Sequence, residues 1–276
     1  MTIGVVARAF NSVSILPEGM FEANINHIAQ IADKISIIEG AADPPARPFT
    51  QDGHSTDGTV EKILELQKQH SQIELIQSPK GFWLYRNAED MFRDLNKKMT
   101  TDYVWFMDGD EFYHEKDIPV IVKVLEERQP YMVEFYANQF WGDWNNRISD
   151  GTGHLWSNEL PWQRIFKNSP NESYWHDFAP PTLVYKDGVV CNNQSNIITR
   201  NETRTMGINL YHYSFVKRSQ VEFKHKFFKG SGWDYINIWD SWQKDHATML
   251  PYGAVTEEFG PEGHPSVIKK LIKEEK

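Results

Sequence analysis

The sequence predicts an α/β fold whose first half is a mostly parallel sheet flanked by helices. Three observations predict it. Short apolar runs alternate with helical stretches through residues 1–130, and the connections between them are short. One such run, Tyr103–Met107, leads straight into Asp108, Asp110 and Glu111. Hydrophobic residues make up 40% and charged residues 24% of the 276-residue chain, as in an ordinary globular protein with a substantial core.

The elements follow in order. Ile3–Ala9 is a strand by its unbroken hydrophobicity, and Ile25, Ile28, Ala29 and Ala32 follow with helical spacing. Ile35–Glu39 is a second strand ending on a carboxylate. A Pro-, Asp-, Gly- and Ser-rich loop spans Ala42–Asp57. Val60, Ile63 and Leu64 open a helix that Ser55, Thr56 or Asp57 can cap. Ile73–Ile76 is the third strand. Asn87 caps the next helix, which has acids in its first turn, an apolar stripe through Ala88, Met91, Phe92, Leu95 and Met99, and lysines near its end. Tyr103–Met107 is the fourth strand, and Asp117 caps a helix with Ile118, Ile121, Val122 and Leu125 on one face.

Beyond Pro130 the pattern loosens. Strands are expected at Tyr131–Ala137, Arg164–Lys167, Leu183–Tyr185 and Ile208–Phe215, with a lysine-bearing helix at Val221–Phe228. The tail Ile268–Lys276 reads as a solvated helix. The expectation is a single domain over 1–276, in which 1–130 forms the regular half and 131–276 a less regular half on the same sheet.

Composition bounds the function. A net charge of −9 argues against a broad nucleic-acid-binding face. The single cysteine, Cys191, excludes an internal disulfide framework and a Cys-rich zinc site. No stretch has the length of a membrane span, and the first residues lack a signal-peptide pattern, so a cytoplasmic location is expected. Sequons at Asn171, Asn193 and Asn201 are then chance occurrences. Ten tryptophans are an excess, and four fall between Trp141 and Trp162. They fit a packed core or a sugar-stacking surface.

The acidic cluster carries the chemistry. Residues two apart on an extended chain point to one side, so Asp108 and Asp110 repel unless a cation or proton relieves them. Oxygen ligands suit Mg²⁺ or Mn²⁺, and such an ion also bridges a diphosphate. Ligands in open α/β sheets bind beyond the carboxyl ends of strands, where this cluster lies. The segment Gln51–Thr59 (QDGHSTDGT) leads into a helix N-terminus. It either presents backbone N–H groups to an anion or is a well-capped loop.

DGHSTDGT, RNAEDMF and YVWFMDGDEF, in that order, resemble the family 2 glycosyltransferases of the GT-A fold across Ile3 to about Leu125. The chain departs from the family pattern in the insertion Gly40–Gln51, which separates the acid Glu39 from the DGHSTDGT segment. The resemblance implies a Rossmann-like, mostly parallel mixed sheet and a nucleotide-sugar-binding half at 1–130. Residues 131–276 would bind the acceptor and complete the metal site. The implied reaction is transfer of a hexosyl or pentosyl group from a nucleotide-diphospho-sugar, UDP- or GDP-linked, to a carbohydrate or other hydroxyl acceptor, with inversion and with Mn²⁺ or Mg²⁺.

By position, the resemblance implies that Glu39 binds the nucleobase together with the chain around Ala7, Arg8 and Phe10. Arg86 lies near the diphosphate, Asp108 near the ribose, and Asp110 on the metal. Plain surface acid and ion-pair roles are the alternatives for Glu39 and Arg86. Trp162–Lys167 resembles the family's R-[IL]-F strand, and Tyr174–Asp177 the "HE" segment that follows it. The base is then Asp177, with His176 competing; relatives often carry Glu at the Asp177 position. His212 fits a late metal ligand, with His225 as the alternative. Lys224 lies in the basic run Lys217, Arg218, Lys224, Lys226 and Lys229, which suits the diphosphate. Trp141, Trp144, Trp156 and Trp175 are the acceptor-groove candidates. A non-catalytic glycan-binding protein, a sugar-nucleotide nucleotidyltransferase and a metal-dependent phosphohydrolase are the competing readings. The segment after the first strand lacks the nucleotidyltransferase's Gly-rich basic loop, and the hydrolase's His/Asp motifs are not evident.

Overall fold

The computed structural model describes residues 1–43, 49–77, 83–84, 95, 98–149, 162–168, 173–178, 181–185, 194–228, 232–251 and 254–275. The strands in chain order are β1 (Ile3–Ala9), β2 (Lys34–Glu39), β3 (Ala42–Asp43), β4 (Ile73–Gln77), β5 (Trp83–Leu84), β6 (Tyr103–Asp108), β7 (Glu111–Phe112) and β8 (Met132–Phe135). They continue as β9 (Ala137–Trp141), β10 (Asn146–Ser149), β11 (Trp162–Lys167), β12 (Ser173–Phe178), β13 (Pro181–Tyr185), β14 (Ile197–Ile198), β15 (Leu210–Phe215) and β16 (Val255–Glu258). The helices are α1 (Ser12–Ile15), α2 (Met20–Ala29), α3 (Thr59–Gln69), α4 (Ile118–Arg128), α5 (Arg200–Thr205), α6 (Arg218–Phe227), α7 (Tyr235–Lys244) and α8 (Ser266–Glu274).

The main sheet runs β14-β8-β11-β6-β1-β2-β4. The β6-β1-β2-β4 block is parallel throughout, and only β11 runs against its neighbours β6 and β8. The expected mixed, mostly parallel α/β fold is present. Its central strands are buried on both faces, which is why they read as unbroken apolar runs. The register pairs Arg8 with Asp108 and Ala9 with Glu39, so β1, β2 and β6 end level at one edge.

A second sheet, β16-β10-β9-β15-β7, meets the first at the acidic turn. β6 belongs to the first sheet and β7 to the second, and Gly109–Asp110 forms the step between them. The strand expected over Tyr131–Ala137 is divided in the same way: β8 joins the first sheet and β9 the second.

Helix α3 buries Thr59, Ile63 and Leu66, one stripe at helical spacing, and Asp57 accepts the Thr59 N–H at 3.1 Å. Asp117 stands at the N-cap of α4, but its carboxylate makes no capping bond, a correction to the expected role. Pro119 in the first turn needs no N–H partner there. The expectation of a solvated terminal helix is also corrected. Ile268, Leu271 and Ile272 of α8 form an i, i+3, i+4 stripe buried in the main core, beside residues of β1 and α2. Lys270, Lys273 and Glu274 are exposed on the other face. Helix α7, capped by Asp234 onto the Asn237 N–H at 3.1 Å, has no counterpart in the sequence expectations, nor do β10 and β16. The helix expected after Asn87 lies mostly outside the described residues. Among the described residues, no helix is long and apolar enough to cross a membrane.

Candidate functional site

The three acids at the end of β6 diverge, and each has its own set of partners. Cross-strand register sets Arg8 beside Asp108. The guanidinium donates from Nε to Oδ1 at 2.7 Å and from Nη2 to Oδ2 at 2.5 Å. The Arg164 Nη2 stands 3.9 Å from the same carboxylate. Burial raises the Asp108 carboxyl, but the two guanidinium groups outweigh it and hold it below its ordinary value.

Glu111 is buried completely. Arg164 on β11 donates to it twice, from Nε to Oε2 at 2.9 Å and from Nη2 to Oε1 at 2.5 Å. This forked pair fits the planar guanidinium. Burial pushes the Glu111 carboxyl up, whereas Glu111 and Asp108 keep the Arg164 guanidinium charged against its own burial. The two short, parallel contacts favour an ion pair. Arg164 is also fixed from the side, its guanidinium carbon 4.6 Å from the Trp162 ring centroid. Asn24 of α2 holds the backbone of the turn, donating to the Glu111 carbonyl at 2.8 Å and the Asp108 carbonyl at 3.3 Å.

Asp110 faces β15. Its Oδ1 lies 3.4 Å from His212 Nε2, and its Oδ2 accepts from the Ser214 hydroxyl at 2.8 Å. Lys224 Nζ of α6 donates to the same hydroxyl at 3.0 Å. Burial raises the Asp110 carboxyl, but His212, Lys224 and Ser214 together hold it well below the usual carboxylate range. The His212 ring stacks edge-on against Trp162 at 4.8 Å, and its Nδ1 is buried without a hydrogen-bond partner.

This pair fits a hard or borderline divalent cation. An ionised carboxylate oxygen and an imidazole nitrogen 3.4 Å apart approach the roughly 3 Å between adjacent ligands of an octahedral ion with ~2.1 Å bonds. Among the described residues, no group of three or more His, Cys, Asp or Glu side chains is arranged to hold an ion. His225 stands apart, with Nδ1 3.8 Å from Asp234. The basic run is similarly dispersed. Arg218 pairs with Glu222 at 2.9 Å and with Asp240, and Lys226 lies over Phe49, so Lys224 is the member that reaches Asp110's surroundings. Lys229 lies outside the described residues.

The loop before α3 is braced within the protein: the N–H groups of Gly53, His54, Ser55, Thr56 and Thr59 are taken by Thr50, Asp52, Glu39, Asn11 and Asp57. Glu39 is the anchor of that loop. Fully buried, it receives the Ser55 N–H at 2.7 Å and Gln77 Nε2 at 2.9 Å, with His54 Nδ1 at 3.1 Å. A carboxylate engaged in this way is closed to a nucleobase, which corrects the expectation for Glu39. In the segment whose backbone was expected beside the nucleobase, the Ala7 side chain is enclosed between Ile37 and Met107, and Arg8 and Phe10 carry the accessible side chains. Phe10 lies 6.2 Å from Phe223 of α6, which is 4.8 Å from Phe49.

Two acceptor candidates are also corrected. Trp141 is 0% exposed and packs on Phe215 at 4.9 Å in a core cluster with Tyr235 and Trp242. Trp144 belongs to the main core, and its indole N–H donates to Glu275 at 2.5 Å. Arg86 and Trp156 lie outside the described residues. Trp175, His176 and Asp177 lie on β12, whose register against β13 skips from Trp175–Leu183 to Asp177–Thr182. His176 is the extra residue of this β-bulge, a feature common beside active sites. Ser214, Asn24 and the Arg164–Glu111 pairing were absent from the sequence expectations, whereas Trp162 and Arg164 lie in the segment that resembles the R-[IL]-F strand.

Residues 49–184, just under half of the chain, match the sequence pattern of the family described as Glycosyl transferase family 2. The match begins within the last three residues of the insertion after Glu39 and includes Asp108, Asp110 and β12. No curated protein matches the chain in sequence. Among solved structures, S. aureus TarS 1-349 in complex with UDP-GlcNAc is similar at 12% identity and a TM-score of 0.44, over 82% of this chain and 64% of that one. The mannosyltransferase PcManGT from Pyrobaculum calidifontis, in complex with GDP-Man and Mn²⁺, is similar at 14% identity and a TM-score of 0.37, over 60% and 44%. Glucosyl-3-phosphoglycerate synthase from Mycobacterium tuberculosis, with Mn²⁺, UDP and glucosyl-3-phosphoglycerate, is similar at 19% identity and a TM-score of 0.34, over 51% and 45%. The chain thus spans less than two thirds of each of these proteins.

Proposed function

From a chain whose residues 49–184 carry the glycosyl transferase family 2 pattern, we propose a metal-dependent enzyme that moves a sugar from a nucleoside-diphosphate donor to a hydroxyl acceptor, with inversion. The observation that carries this reading is the arrangement at Asp110. Asp108 and Glu111 are neutralised by guanidinium groups, while Asp110, in the matched segment, faces His212 at 3.4 Å.

Asp110 and His212 are the residues that would hold Mn²⁺ or Mg²⁺. When bound, the ion supplies positive charge at the departing diphosphate. Lys224, tied to the same hydroxyl as Asp110, adds a cation on that side. Arg8 and Phe10 border the donor side, where the ends of β1 and β6 lie level. The Arg8–Asp108 pair presents a carboxylate and a guanidinium to the ribose and diphosphate. Arg86, by the family pattern, belongs near the same diphosphate.

Asp177 is the base. As the acceptor oxygen forms its bond to the anomeric carbon, the bond to the diphosphate oxygen breaks, and the acceptor proton passes to the carboxylate. The backbone bulge at His176 is consistent with a role for this stretch, since bulges are common beside active sites. Trp175, on the same strand, and Trp156 are the remaining acceptor-groove candidates.

Calorimetry with a panel of UDP- and GDP-linked sugars, with and without Mn²⁺, tests the reading. At least one donor binds only with the metal, and Asp110→Asn removes that binding. Asp177→Asn keeps donor binding and loses turnover. If the Asp177 variant turns over normally, the base lies elsewhere and His176 is next. If no nucleotide binds, the reading gives way to a glycan-binding protein.

A further inference from the structure

Ser214 lies two residues after His212 on β15, and the two side chains meet on one side of the strand. It is 0% exposed, although its hydroxyl is polar. Three groups surround that hydroxyl: Asp110 Oδ2 at 2.8 Å, Lys224 Nζ at 3.0 Å, and His212 Nε2 in close contact.

A hydroxyl has one proton to give and two lone pairs to offer. The carboxylate can only accept and the ammonium can only donate. The proton therefore goes to Asp110 and one lone pair to Lys224, while His212 Nε2, in close contact on the remaining side, must keep its own lone pair free if it is to hold an ion. The consequence for Asp110 is asymmetry: Oδ2 is tied to Ser214, and Oδ1 is left facing His212 at 3.4 Å. The backbone reinforces the same arrangement. The Tyr213 N–H donates to the Asp110 carbonyl at 2.9 Å, and Gln220 of α6 donates to the Tyr213 carbonyl at 2.7 Å.

We propose that Ser214 is a positioning residue for the cation site. It selects the Asp110 oxygen that faces the ion, fixes the distance to His212, and couples both to Lys224 and α6. This rests on the metal-dependent reading above. Without the hydroxyl, the Asp110 carboxylate is free to rotate, and Lys224 loses its link to it.

The test is Mn²⁺ titration of the full chain, followed by electron paramagnetic resonance, for the wild type, Ser214→Ala and Ser214→Thr, with melting temperatures measured alongside. Removal of a group that orients a metal ligand typically weakens affinity about 10- to 100-fold, and that is the loss expected for Ser214→Ala. Ser214→Thr, which keeps the hydroxyl, restores most of the affinity. If the alanine variant does not fold, Ser214→Cys, whose thiol is only a weak donor, replaces it with the same expected loss. Wild-type affinity in the folded Ala or Cys variant overturns the inference and leaves the metal-dependent reading standing. A threonine variant as weak as alanine, at an unchanged melting temperature, also overturns it. Wild-type protein that binds no Mn²⁺ overturns the metal-dependent reading, and the inference with it.

Discussion

Replacing Glu111 by Gln keeps the side chain's shape and removes its charge. Arg164 is then left charged in a site where its side chain is only 9% exposed. Removing one member of a buried ion pair typically costs about 3–5 kcal/mol, because the other charge is stranded. Asp108, 3.9 Å away, offers Arg164 a second carboxylate, although Arg8 already holds it. At that distance the attraction is sizeable even with an effective dielectric near ~20, so the expected loss sits at the lower end, about 3 kcal/mol. For a chain of this size that corresponds to a fall of roughly 6–12 °C in melting temperature. Urea denaturation followed by tryptophan fluorescence gives the free energy directly. Glu111→Gln with Arg164→Met removes both charges and should recover more than half of the loss. A single variant that loses under ~1 kcal/mol, or a double variant no more stable than the single, refutes the account of Glu111 as an ion-paired strut.

Two further predictions concern stability. His264 is fully buried against the Tyr213 hydroxyl at 2.8 Å, and burial lowers its pKa from 6.5 to about 4. Its neutral form is favoured in the folded state, so its contribution is complete above pH 6.5 and falls as pH drops toward about 4, by about 3 kcal/mol in all. Comparing urea midpoints of the wild type and His264→Asn at pH 7 and pH 4.5 checks this, since the variant should lose that part of the acid sensitivity. Gly142 has φ +81°, and a Cβ there would lie 1.9 Å from the Trp242 ring. Gly142→Ala should therefore cost about 3 kcal/mol or more, and a melting temperature equal to wild type would contradict the packing described for α7.

The regular half was legible because its signals are local. Strands buried on both faces appear as apolar runs, and the acidic turn stands out where one such run ends. The partners of the acids were less legible. Glu111 meets Arg164 and Asp110 meets Ser214 only through sheet pairing across long sequence separations, and no spacing rule announces such contacts. Glu39 shows the same gap: its residue type and position were evident, but not the three donors that enclose it. Aromatic residues misled for a different reason. An indole reads alike in a core and in a groove, so Trp141 and Trp144 could be sorted only by burial. In α8 the lysines and glutamates masked a narrow apolar stripe. Helix α7, by contrast, was legible: Asp234 caps it, and Tyr235, Ile238, Trp239 and Trp242 follow i, i+3, i+4, i+7 spacing.

The distribution of partners around the acidic turn also bears on the order in which the chain is made. Arg8 has already been synthesised when Asp108 emerges, but Arg164 follows Glu111 by 53 residues and Ser214 follows Asp110 by 104. At about 5–20 residues per second, those waits last roughly 3–10 s and 5–20 s. Until then, Glu111 lacks its guanidinium partner and Asp110 lacks the Ser214 hydroxyl, so neither carboxylate is readily buried. The parallel half alone therefore lacks the groups that close its acidic edge, and β11, β15 and α6, which complete the turn, are all made later.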